Sequence, residues 1–140
     1  RYFNVFGPKQ DPHSQYSAVI PKFIHCALKR KKPNIFGDGK QTRDFTFDEN
    51  VVNANFLAMK KDGKMHGEVF NIACGRDISV LSIVDTLSEI FGRDIEPVFC
   101  GARLGEVRFS LADISKAKQG LNYSPLFDFE KGLEKNSGVV

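Results

Sequence analysis

The apolar positions change period along the chain, and those changes divide it into alternating strands and helices. From Arg1 to Phe6, Tyr2, Asn4 and Phe6 fall on one side and Phe3 and Val5 on the other, the period-two pattern of a strand. Gly7 to Ser17 is a loop punctuated by Gly7-Pro8 and Asp11-Pro12. From Ser17 to about Arg30, Val19, Ile20, Phe23, Ile24, Ala27 and Leu28 recur at helical spacing. Pro21 sits in the first turn, where a missing N–H costs little, and Pro33 stops the helix. Asn34 to Gly37 reads as a short strand, Gly37-Asp38-Gly39 as a turn, Lys40 to Arg43 as a polar exit, and Asp44 to Phe47 as extended chain.

Asp48 then opens a helix through Val51, Val52, Asn55, Phe56 and Met59 that ends before Gly63. Val69 to Ala73 is a predicted strand. Ser79 caps a helix through Ile83, Val84, Leu87, Ile90 and Phe91, with Gly92 fitting its C-terminal cap. Ile95 to Cys100 is a strand broken by Pro97, hence an edge. Asp113 and Asp128 are candidate caps for two short helices through Ile114 and Ala117 and through Leu133, and Asn136 to Val140 is expected to fray. The fold class is mixed α/β, with strands too short and too few for a complete doubly wound sheet. An apolar strand at the first residue points to a natural N-terminus further upstream.

Composition adds little that is unusual except 13 Phe and no Trp in 140 residues, which predicts a core built partly from rings. A net charge of +3 fits an anionic ligand without demanding one. No segment approaches the roughly 18–20 apolar residues of a membrane helix, and Arg1-Tyr2-Phe3-Asn4 has no signal-peptide layout. Cys26, Cys74 and Cys100 are far apart and odd in number, so they read as small buried hydrophobes in a reducing, cytoplasmic compartment. The three His are scattered, and no metal site is expected. Lys29-Arg30-Lys31-Lys32 is better read as cations favoured at a helix C-terminus than as a nucleic-acid patch, since no aromatic platform accompanies it.

No complete catalytic set is visible. There is no glycine-rich dinucleotide loop or P-loop, and Tyr2, Tyr16 and Tyr123 have Phe6, Ile20 and Phe127 four residues on, so a Tyr-xxx-Lys pair is absent. Arg43, Arg103 and Arg108 stand in polar, non-helical settings. Guanidinium forks there could grip phosphate oxygens bidentately, or form ordinary surface ion pairs.

Five ordered segments carry a resemblance. Arg1 to Pro12 resembles the strand and loop that follow the catalytic helix of extended short-chain dehydrogenases, and Val19-Ile20-Pro21-Lys22-Phe23 the start of their substrate-domain helix. Ile35 to Phe45, Glu68 to Gly75 and Arg103 to Ala117 resemble three further segments of the same family, the NAD-dependent nucleotide-sugar epimerases and dehydratases. The wording is most similar to UDP-hexose 4-epimerases, including those acting on N-acetylated sugars. The dTDP-sugar 4,6-dehydratases and UDP-glucuronate decarboxylases are less similar at the opening.

The resemblance implies the C-terminal part of an extended short-chain dehydrogenase. It would comprise the last strands of a Rossmann-like domain plus a small α/β substrate domain, with the N-terminal nucleotide-binding half absent and residues 1–140 forming a single sugar-nucleotide-binding fragment. It implies NAD as cofactor of the parent protein, taking and returning a hydride at the sugar's C4, and a UDP-sugar or dTDP-sugar as ligand. Tyr2 and Pro8 would lie by the nicotinamide and Asn4 would reach the sugar or diphosphate. Val19, Phe23, Ile35 and Phe36 would wall the base, with plain core packing as the competing reading. Gln41 and Arg43 would hold ribose or phosphate, Arg103 and Arg108 would clamp the diphosphate, and Glu106, where the family usually has Asp, would meet ribose hydroxyls. No catalytic residue lies in the chain, so no turnover is expected of it alone. A homodimer of the parent protein or a partner chain supplying the missing half is implied, and a stand-alone binding or interaction module is the alternative.

Overall fold

A computed structural model describes residues 1–13 and 18–138. Tyr16 and Ser17, the latter the expected first helical residue, lie outside them, as do Val139 and Val140 of the tail. The described elements run β1 (Val5–Phe6), α1 (Val19–Leu28), β2 (Asn34–Phe36), β3 (Thr42–Arg43), β4 (Thr46–Phe47), α2 (Asp48–Lys60), β5 (Ile78–Ser79), α3 (Val80–Phe91), β6 (Val98–Cys100), α4 (Ser115–Leu121) and α5 (Phe129–Ser137). The strands form three pairs: β1 with β4 and β2 with β6 are parallel, and β3 with β5 is antiparallel. The α/β class holds, and the chain forms no continuous sheet among the described residues. No helix among them is long and apolar enough to cross a membrane.

The helices follow their local signals. Ser79 accepts a hydrogen bond from the Ser82 N–H and caps α3, and Gly92 ends it in the left-handed region that a side chain disfavours. Asp128 caps α5 through the Lys131 N–H. The α5 helix continues through a buried Ser137, so residues 136 and 137 are ordered helix rather than a frayed tail. Asp113 does accept from the Ser115 N–H, but α4 itself begins at Ser115.

Two predicted strands are shorter than expected, for one reason. Tyr2 bridges Ile72 in parallel, with Ile72 N–H donating to Arg1 and Phe3 N–H to Ile72. Asn4 then takes a φ of 37°, which breaks the alternation and hands β1 over to Thr46 and Phe47. The segment 69–73 therefore contributes a single bridge, not a ladder.

The core is built from rings as well as aliphatics. Phe6 meets Phe47 at 5.6 Å and Phe129 at 6.0 Å between centroids, Phe129 meets Phe45 at 5.8 Å, and Phe47 meets Phe127 at 5.4 Å, mostly in tilted or edge-on contacts. Around them pack Ile20, Phe23, Ile24 and Ala27 of α1 and Ile83, Val84 and Leu87 of α3. A second cluster joins Ala54 of α2 to Ala117 and Leu121 of α4, with Tyr123 donating its hydroxyl hydrogen to the Ala73 carbonyl. The three cysteines are free and half-buried rather than buried. Burial, with Asp44 and Asp128 nearby, pushes the Cys74 thiol up to about 11.

Asn50 fastens α2 to a distant segment. It is fully buried, accepts from the N–H groups of Leu126 and Phe127, and donates to the Phe127 carbonyl. Asn50→Ala should cost about 1–3 kcal/mol in urea unfolding, because it leaves buried backbone donors without an acceptor; an unchanged midpoint would contradict that accounting. Gly132 of α5 lies so close to β4 that an added Cβ would meet Phe47 Cβ at 2.9 Å and Phe6 Cζ at 3.1 Å. Gly132→Ala should therefore lose about 1–3 kcal/mol through overpacking, despite the roughly 1 kcal/mol that alanine adds to helix propensity. A raised unfolding midpoint would show that the contact is not tight.

Candidate functional site

Helix α1, strand β2 and the loop after β6 surround a cavity of about 640 Å³, a size usual for small-molecule sites. On α1, Val19, Lys22, Phe23 and Cys26 line it at i, i+3, i+4 and i+7. On β2, Asn34, Ile35 and Phe36 contribute, and Phe45 and Val80 complete the apolar side. Asn4, Gln41, Arg43, Arg103 and Glu106 supply polar groups.

Several of these groups are already oriented. Gln41 is buried and donates its amide N–H to the Phe36 carbonyl. Asn4 donates to the Asp44 carbonyl, and Arg43 Nη1 to the Thr42 carbonyl at 2.7 Å. The Arg103 guanidinium carbon lies 3.8 Å from the centre of the Phe36 ring, a stacked cation over an aromatic face. Among the described residues neither Arg43 nor Arg103 joins an ion pair. Two unbalanced guanidinium groups beside an apolar wall can hold an anion whose other end is flat and apolar.

The structure thus brings together Asn4, Val19, Phe23, Ile35, Phe36, Gln41, Arg43, Arg103 and Glu106 around one cavity. Tyr2, Pro8 and Arg108 lie outside its lining. Tyr2 is exposed, with its hydroxyl donating to Asn55, and Pro8 is exposed. Arg108 instead clasps Asp38 with both arms, Nη1 to Oδ1 at 2.8 Å and Nη2 to Oδ2 at 2.7 Å.

Lys22, Cys26 and Asn34 also line the cavity and were missed. Helical spacing from Val19 and Phe23 would have found the first two, and strand alternation from Phe36 the third. His13 and His25, which looked scattered, stack edge to face at 4.9 Å and both line the cavity. No cluster of metal-ligating residues occurs among the described residues.

The fork on Asp38, aided by the Lys40 N–H and charge, holds its carboxyl down at about 2. A carboxylate lowered in the folded state stabilises above its ordinary value and loses that contribution as pH falls through about 2. A side-chain NMR titration should find that midpoint, and Arg108→Ala should return it towards roughly 3.9. A midpoint indifferent to Arg108 would rule the fork out in solution.

The fold is shared with proteins of known structure. The UDP-glucose 4-epimerase of Thermotoga maritima, solved with UDP-glucose, superposes with a TM-score of 0.90 at 42% identity over 99% of this chain and 44% of its own. The UDP-glucuronic acid 4-epimerase of Bacillus cereus, solved with UDP-glucuronic acid and NAD, gives a TM-score of 0.88 at 36% identity over 99% of this chain and 43% of its own. The UDP-glucose 4-epimerase of Mycolicibacterium smegmatis is 34% identical over 94% of this chain and 41% of its length. Other curated relatives are nucleotide-sugar decarboxylases. The chain thus spans well under half of the proteins it matches. The model of the NAD dependent epimerase/dehydratase family matches residues 1–73, and with these relatives along nearly the whole length the chain belongs to that family.

Proposed function

We propose that this chain is the nucleotide-holding part of a UDP-hexose 4-epimerase, and that its cavity takes the UDP moiety. Arg43 and Arg103 grip the diphosphate, Gln41 and Glu106 face the ribose, and Val19, Phe23, Ile35 and Phe36 wall the base. Asn4 reaches towards the sugar end. The observation that carries this reading is the shared cavity: two guanidinium groups 60 residues apart in sequence, neither in an ion pair among the described residues, beside an apolar wall of fitting size. Neutralising a remote diphosphate supplies binding energy that can orient the sugar at a reacting centre. Binding and orientation are the contributions assigned to these residues; no proton or hydride donor is among them.

NAD is bound in solved relatives. The described residues do not form a dinucleotide site: Tyr2 and Pro8 are exposed outside the cavity, and among the described residues no glycine-rich helix N-terminus accompanies them. They could touch the nicotinamide only as one edge of a site completed elsewhere. The decarboxylases among the relatives support a second reading in which the same cavity serves a UDP-sugar decarboxylase.

Calorimetry with UDP tests the binding role. Arg43→Ala and Arg103→Ala should each weaken UDP binding by about 10- to 150-fold, the loss of a charge-assisted hydrogen-bond pair of about 1.5–3 kcal/mol. Affinity unchanged in both variants would overturn the assignment.

A further inference from the structure

The loop that carries Arg103 and Glu106 buries no side chain, and the Arg103 guanidinium rests on the Phe36 ring from outside. Every residue from Gly101 to Phe109 is exposed, and Leu104 at its tip is wholly so. A segment without buried side chains sits at the low-stability end of a fold unless something else ties it down. The ties here converge on the turn Gly37-Asp38-Gly39. Gly37 N–H donates to the Cys100 carbonyl at the loop's entry, and the Asp38 carboxylate takes the Arg108 fork at its exit. Thr42 N–H adds a bond to the Arg108 carbonyl.

The turn is itself rigidly placed. Gly37 and Gly39 adopt φ of 74° and 72°, Asp38 Oδ1 also accepts from the Lys40 N–H, and the Gly39 carbonyl accepts from Leu81 at the start of α3. An isolated surface ion pair contributes little, but a bidentate guanidinium–carboxylate pair with one partner already fixed is the geometry in which it does.

We infer that Asp38 is a positioning residue: by latching Arg108 it sets the loop that presents Arg103 and Glu106 to the cavity. The inference rests on the cavity being the diphosphate site. Asp38 does not line the cavity, so its effect on a ligand passes through the loop.

Two measurements on the same chain test it. In Asp38→Ala, backbone amide order parameters of residues 102–107 should fall from about 0.85 to below about 0.6 while the core stays rigid. UDP affinity by calorimetry should fall about tenfold in Asp38→Ala, but by less than about twofold when Arg103→Ala and Glu106→Ala are already present, since the lost contacts are the same ones. Arg108→Lys, which keeps the charge and loses the fork, should behave as Asp38→Ala does. Order parameters unchanged in Asp38→Ala, or affinity losses that simply add, would overturn the latch even where the unsubstituted chain binds UDP. A loosened loop in a chain that binds no UDP at all would instead overturn the nucleotide reading, and the positioning role with it.

Discussion

Asp44 has no access to solvent, yet its carboxylate ties together segments far apart in sequence. Oδ1 accepts from the Cys74 N–H and Oδ2 from Gly75 and, more distantly, Ala112. Its backbone carbonyl takes the Asn4 side chain. Burial pushes the carboxyl up from its ordinary value, and the backbone donors pull against that rise. With the residue pinned, its neighbours are pinned too: Arg43 on one side and Phe45 on the other both face the cavity. The polar and apolar walls of the cavity are set against each other by a group outside its lining.

The cavity inherits its chemistry from that arrangement. Its apolar wall comes from one face of α1 and from β2, completed by Phe45 and Val80, and α1 is held by its buried Ile20, Ile24 and Ala27. Its cations come from separate elements: Lys22 from α1, Arg43 from β3, where Nη1 bonds the Thr42 carbonyl, and Arg103 from the loop after β6, where it rests on Phe36. A net charge of only +3 says nothing of this, because the relevant cations are gathered locally rather than in number.

Much of this was legible in the sequence, and the parts that were not share a cause. The α3 boundaries could be read because Ser79 and Gly92 act on their nearest neighbours. The apolar stripe of α1 could be read from spacing alone. The break at Asn4 could not, since a left-handed asparagine follows from which strands compete for its neighbours. Nor could the engagement of Arg108, whose partner Asp38 lies 70 residues away. Arg43 and Arg103 could be grouped by their polar, non-helical settings, but only the resemblance favoured a phosphate role over surface ion pairs. Cys26 showed the limit of a hydrophobic reading: its position on an apolar face was visible, but not that the face turns towards a cavity.

The most direct measurement is amide chemical-shift mapping with UDP added to this chain. The account predicts shifts confined to the α1 face from Val19 to Cys26, to Asn34–Phe36, and to the segments around Arg43 and Arg103–Glu106. Saturating UDP that leaves those amides unmoved, or that perturbs a different surface, would contradict it.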